Sequence, residues 1–304
     1  MLSRPVRALS LALIACVPPP LVLLGASALV VSGGCLYQTA SFTRTFQASA
    51  PASASLGLQV QTSNGSITAH RGKDPTCVVS AKVRAISQAR ADAVSVSITS
   101  ADGALVVRVV WPEDGRKNSE GCDLDILVPG SAWVHAASDN GAISAEGLAG
   151  VAELTTSNGQ IELRNHDGPG TLTTNNGDVK ASGVTGALKA RSTNGSLLLN
   201  DVGGFVDGET TNGRCVVTLT GANAGPVIVQ STNGSVEVEV GAGFRGKLVA
   251  ENSNGSLTLP PELAKGASKH RAELDFGAPS AAPARDSRVT TSNGDVTVRR
   301  RASN

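Results

Sequence analysis

Apolar residues recur along most of this chain with a period of two, and the alternation restarts at a fixed landmark, the dipeptide Asn-Gly. The pairs begin at Asn64, Asn140, Asn158, Asn176, Asn194, Asn212, Asn233, Asn254 and Asn293. Three residues after each asparagine stands an apolar side chain, such as Ile143, Ile161, Val179, Leu197 or Cys215. Two further on stands another, such as Ala145, Leu163, Ala181, Leu199 or Val217, and the residue between is often polar. That alternation predicts a strand with one buried face. A second strand precedes each landmark, with inward positions six and four residues before asparagine, as in Ala152 and Leu154 or Leu188 and Ala190. Each unit is then strand, Asn-Gly corner, strand and a Gly-rich return marked by Gly168, Gly186 and Gly204. Tight corners call for positive φ, which Gly and Asn tolerate.

The step between landmarks is 18 residues from Asn140 to Asn212, then 21 twice, then 39. A repeat of this length is the signature of a stacked architecture. Asn-Gly between alternating strands is also a hairpin signal, so a meander or sandwich of hairpins is the rival fold. Hairpins need neither equal lengths nor the same residue at the same phase. A solenoid needs both, because each coil pairs with the one before it about 4.8 Å away. We therefore expect an all-β, single-domain β-solenoid with rungs of 18 residues over most of its length. Its corners should stack Asn140-Gly141, Asn158-Gly159, Asn176-Gly177, Asn194-Gly195 and Asn212-Gly213 into a ladder. Thr156, Thr174, Ser192 and Thr210, two residues before asparagine, should face the corner interior and bond backbone groups.

Residues 56–300 carry this domain, and residues 77–135 break its rhythm. Strands are expected at Cys77–Ala85, Val94–Thr99, Ala104–Val110 and Asp123–Val128, with a short helix at Ser87–Ala93. Asp102-Gly103 signals a hairpin; it also lies 38 residues from both Asn64 and Asn140, which suggests two wider laps of the same winding. This irregular section should cap one end of the stack, since terminal repeats must cover the core. Residues 36–55, rich in Ala, Ser and Thr, read as a tether. Residues 260–287 read as an excursion, after which the Asn293 unit either forms the final rung or pairs elsewhere.

The first 35 residues read as a targeting segment, with Arg4 and Arg7 ahead of an apolar stretch that contains Pro18, Pro19 and Pro20. Ser32-Gly33-Gly34-Cys35 is similar to a bacterial lipoprotein cleavage box, which makes Cys35 the lipid attachment site and the membrane the partner of the N-terminus. Ala26-Ser27-Ala28 offers an ordinary signal-peptidase site and a secreted product, and an uncleaved anchor is the third option. All three place the protein outside the cytoplasm. There a disulfide between Cys77 and Cys122 is open, while Cys215 stands in the inward column as a small hydrophobe.

Aromatics make up only 3% of the chain, so the core must be built of small branched residues, which suits a narrow solenoid. Formal net charge is +1. Without the leader 24 basic residues (26 less Arg4 and Arg7) face 25 acidic ones, and nothing suggests nucleic acid. No Cys/His spacing for zinc, no calcium nonapeptide and no phosphate loop is present, so no metal, cofactor or catalytic residue is assigned. Glu153, Glu162, Asp167, Asp178, Asp201, Asp207 and Glu209 sit at different phases, with only Asp207 and Glu209 falling on one rung face. His70, His135, His166 and His270 are scattered. An ice-binding face would need outward Thr pairs on successive rungs, and only Thr171/Thr173 forms one.

The motif [Thr/Ser]-x-Asn-Gly-x-[Ile/Val/Leu] in Thr62–Ile67, Thr155–Ile161, Thr173–Val179 and Thr193–Leu197, with Leu127-Val128-Pro129-Gly130 ahead of the regular array, resembles the bacterial "putative adhesin" family. The resemblance covers about residues 56–298. It implies a β-solenoid in the cell envelope and carries no catalytic motif. The expected function is non-enzymatic: binding or adhesion to a protein or polysaccharide of the envelope or surface, or a structural role. The alternative is a polysaccharide-active β-helix enzyme, which would need paired carboxylates.

Overall fold

The computed structural model describes residues 40–223, 225–264, 266–278 and 286–301, all within one compact unit. The leader, including Cys16 and the lipidation candidate Cys35, lies outside the described residues. Strands that precede an Asn-Gly stack into one sheet and strands that follow it stack into another, each of 12 strands among the described residues. They are called here the leading and trailing sheets. Successive rungs pair in parallel and in register: Leu154 lies beside Leu172 and then Ala190, and Ile161 beside Val179 and then Leu197. Hairpins would have placed the two strands of one Asn-Gly side by side and antiparallel. The inward columns of both sheets are sealed, with Leu154, Ile161, Leu172 and Leu197 at 0% exposure. The fold is a β-solenoid.

Two hydrogen-bond ladders bind the corners. Each landmark asparagine donates its amide to the carbonyl of the asparagine one rung back, at 2.7–2.9 Å, through all nine landmarks. The first landmark, Asn64, donates to the backbone oxygens of Asn118 and Glu120 instead. Behind this exposed row runs a buried one. The hydroxyls of Ser138, Thr156, Thr174, Ser192 and Thr210 donate to the carbonyls of Gly65, Gly141, Gly159, Gly177 and Gly195 at 2.8–2.9 Å. Replacing Asn176 with Ala breaks two bonds of the outer row, but water reaches the groups left behind. The expected cost is about 1 kcal/mol in a urea melt; a loss several times larger would mean that the row acts as one cooperative unit.

The corner glycines are needed for a different reason from the one expected. Gly141, Gly159, Gly177, Gly195 and Gly213 do not adopt positive φ. Their backbones stack so closely that a Cβ on Gly195 would lie 1.9 Å from the Gly177 oxygen, and one on Gly159 2.0 Å from that of Gly141. In the regular array positive φ falls at the return corner, seven residues after asparagine: Gly147 at 68°, Asn165 at 48°, Gly183 at 64° and Asp201 at 52°.

Rung order departs from chain order at both ends. The strands Ala104–Val110 and Gly121–Val128 form a rung beyond the Asn64 rung, while the chain next crosses to the other side of Asn64 to begin the regular array. Asp102-Gly103 makes a hairpin there, with φ of 50° and 75°, and is not a ladder corner. At the opposite end the Asn293 rung inserts between the Asn233 and Asn254 rungs, so the last stretch of described chain is internal to the stack.

Antiparallel strands cover the ends. Phe42–Pro51, within the stretch read as a tether, is a strand paired along its whole length with Thr76–Ala85. Composition was the wrong guide there: Phe42, Arg44 and Phe46 alternate with threonine, and that period is a strand signal. Thr76–Ala85 pairs in turn with Gly121–Val128, in a register that sets Cys122 opposite Val83, six residues along from Cys77. Six residues of strand separate the thiols by about 20 Å, so no disulfide joins them. Both are free and buried, and burial pushes Cys77 up to about 11 and Cys122 up to about 12.

The same cap contains the most enclosed ion pair. Helix Gln88–Ala93, capped by the Ser87 hydroxyl, presents Arg90 to Glu120, whose side chain is 0% exposed. The guanidinium bonds both Glu120 oxygens and both Asp114 oxygens, and Glu120 also accepts from the backbone of Ile86 and Lys117. The hydrogen bonds from Arg90 hold the Glu120 carboxyl below its ordinary value of 4.5, and the same partner brings Asp114 down to about 2. A carboxyl depressed on folding contributes stability that is complete above its unfolded pKa and is lost as pH falls through the folded one. Glu120→Gln should therefore lower the melting temperature at pH 7, and the gap from wild type should close as pH falls below 4.5. A gap independent of pH would show that the carboxylate charge is not what holds the cap.

Candidate functional site

The outward face of the leading sheet carries two side-chain columns, five and three residues before asparagine. Near the N-terminal end they run through Val106 and Arg108, Gln59 and Gln61, His135 and Ala137, Glu153 and Thr155, then Thr171 and Thr173, one pair per rung. Strand alternation turns Gln59 and Gln61 outward while Leu58, Val60 and Thr62 are buried.

This part of the face is hollowed. Strand Ala104–Val110 accompanies Gly57–Thr62 only as far as Arg108 beside Gln61. Every other rung continues into an Asn-Gly corner; this one leaves through Trp111-Pro112 into the loop of the end cap. The missing corner opens a cleft of about 300 Å³ lined by Gln59, Gln61, Arg108 and Trp111. Gln59 and Gln61 also line a second hollow of about 180 Å³, floored by Ala136 and Ala137 and edged by His135, Glu153 and Thr155. Together they make one trough across four rungs.

Trp133 buttresses its wall. A Cβ on Gly57 would fall 2.0 Å from the Trp133 ring, so glycine is required for the indole to lie on the sheet. The ring packs 4.6 Å from that of His135, whose Nε2 stands 3.4 Å from a Glu153 oxygen. Of the two tryptophans, Trp111 lines the trough and Trp133 packs behind its edge against His135. Among the described residues the side chains of Gln59, Gln61 and Arg108 have no hydrogen-bond or ion-pair partner, and all three are exposed. Elsewhere on the faces Arg164, Arg191, Arg214 and Arg271 are ion-paired.

The acidic candidates are dispersed. Asp207 and Glu209 share a rung face, but both are held by Arg191. Glu162 pairs with Arg164, and Asp201 with Arg301. Asp167 accepts from the Thr185 hydroxyl and Asp178 from the Ser196 backbone. His166 is buried and bonds the Gly150 carbonyl, and His270 bonds Asn252. No group of three or more potential metal ligands occurs among the described residues. A cavity of about 440 Å³ at the C-terminal end is lined by Glu251, Asn252, His270 and Arg271, which already bond one another. Cys215 is buried as expected, and burial pushes its thiol up to about 12.

A stacked parallel solenoid with a laddered Asn-Gly corner and a hollowed outer face defines the class. The chain belongs to the Toastrack DUF4097 family, a family of unknown function whose model matches residues 116–299. No curated protein matches it. Among solved structures, it is similar to a putative adhesin from Bacteroides fragilis, at 9% identity and a TM-score of 0.47, over 84% of this chain and 97% of that one. A putative adhesin from Parabacteroides distasonis matches at 12% identity and 0.39, over 84% and 97%. A putative cell adhesion protein from Clostridium sporogenes matches at 9% and 0.27, over 85% and 100%.

Proposed function

We propose that this is an exported, non-enzymatic binding protein of the cell envelope, which uses the outer face of its leading sheet to hold an extended ligand. The trough carries the proposal: uncommitted amide and guanidinium groups beside an indole suit recognition, and the nearest carboxylate, Glu153, faces a histidine rather than a second acid. The 35-residue leader supports export, and Cys35 is the proposed lipid attachment site. Two experiments test the reading. Fatty-acid labelling of wild type should be abolished in Cys35→Ala; equal labelling would remove the anchor from the proposal. Capture of envelope fragments by the intact protein should be lost in the triple variant Gln59→Ala, Gln61→Ala, Arg108→Ala. Undiminished capture would move binding to another face.

A further inference from the structure

We propose that the trough from Arg108 to Thr155 takes a neutral, hydroxyl-rich polysaccharide that lies along the stack axis, crossing the rungs. This deepens the binding reading above and rests on it. The first argument is periodicity. Parallel rungs repeat every ~4.8 Å, close to the length of one pyranose unit in an extended chain. A glycan aligned with the axis therefore presents successive sugars to the same two columns. A peptide in β conformation has a shorter residue repeat and slips out of phase within a few rungs.

The second argument is the chemistry of the columns. Sugar hydroxyls donate and accept at once. Gln59 and Gln61 offer both functions in one side chain, Thr155 offers a hydroxyl, and Arg108 adds donors. None of the amides or the guanidinium must give up a protein partner to engage a ligand. Trp111 lines the larger hollow, where its partly exposed indole can meet the C–H face of a sugar ring. Ala137 leaves the floor low between Gln61 and Thr155, so a ring can sit between them.

The third argument is charge. Arg108 at one end is offset by Glu153 farther along, and the residues between are neutral apart from His135. A polyanionic chain would meet Glu153, and a nucleic acid would find one fixed cation where it needs a row of them.

The test uses the intact protein and three probes in titration calorimetry: a neutral β-linked hexasaccharide panel (gluco-, xylo- and chito-oligomers), the matching disaccharides, and oligogalacturonate. Expected is binding of at least one neutral hexamer, at least tenfold tighter than its disaccharide, and weakened at least tenfold in Gln61→Ala. Trp111→Ala should weaken it similarly. Because Trp111 also packs on the core, the exposed Gln61 and Arg108 variants, whose melting should be unchanged, decide the matter. Absence of neutral-hexamer binding, binding indifferent to Gln61→Ala and Arg108→Ala, or preference for oligogalacturonate would each overturn the inference. If envelope capture persists alongside any of these, the glycan assignment fails and the binding reading survives. Loss of both defeats the two together.

Discussion

Truncating the chain after Asp286 should disrupt the C-terminal third of the stack, although only one sequence repeat is removed. The Asn293 rung is not terminal in space. Its first strand pairs on one side with Val227–Asn233 and on the other with Lys247–Asn254, and its second strand with Val236–Val240 and Leu257–Thr258. Val289, Val296 and Val298 are 0–1% exposed. Burial of a valine contributes about 1.5 kcal/mol or more, so the three together contribute about 5 kcal/mol before any hydrogen bond is considered. Removing them also separates Leu248, Ala250 and Leu274 from the rest of the core and breaks the asparagine row between Asn233 and Asn254. The expected result in a urea melt is an early transition absent from the full-length protein, with residues 241–278 becoming sensitive to protease. A peptide of residues 286–301 added in trans should restore protection, since the slot between the flanking rungs is specific for two strands of that length. Cleavage confined to the new C-terminus, with the melt otherwise unchanged, would show that the Asn254 rung stacks directly on Asn233 and that the insertion is not required.

That rung order could not be read from the chain, and the reason is physical. The period exposes the solenoid because every coil must present the same inward columns to its neighbours. The same uniformity makes rungs interchangeable: Val229 packs as well under Val289 as it would under Ala250, and every landmark asparagine can donate to every other. Nothing local to Asn293 says which two rungs it joins. The end strand Phe42–Pro51 was hidden by its alanines and threonines. The Cys77 and Cys122 thiols face into the core from neighbouring strands, yet the strand register keeps them apart. The trough was the least legible feature. Gln59, Arg108 and Ala137 come from three strands far apart in sequence, and the cleft exists because one rung lacks a corner. The only hint was that both tryptophans fall in or beside the irregular section.

Replacing Gly195 with Ala should destabilise the stack by about 3 kcal/mol or more, the upper range for overpacking a site that cannot relax. The added methyl would sit 1.9 Å from the Gly177 oxygen and 2.9 Å from the Ser192 hydroxyl. Neither neighbour can yield: the Ser192 hydroxyl is bonded to that same oxygen, and the Gly195 carbonyl is itself the acceptor for Thr210 one rung on. Relief requires the two rungs to part, which stretches backbone pairing on both sheets. The return corner supplies the control that separates this cause from the backbone-angle one. At Gly147, φ is 68° and a Cβ would meet nothing closer than 3.4 Å, so alanine there pays only for the left-handed conformation, about 1–2 kcal/mol. Asparagine at Gly147 should cost less than alanine, because Asn165 already occupies the equivalent position with φ of 48°. At Gly195 asparagine should be at least as damaging as alanine, since the obstacle is the Cβ itself. Thermal melts of the four variants decide between the causes. If asparagine rescues Gly195 relative to alanine, conformational preference governs the Asn-Gly corner after all, and the close approach of stacked backbones does not.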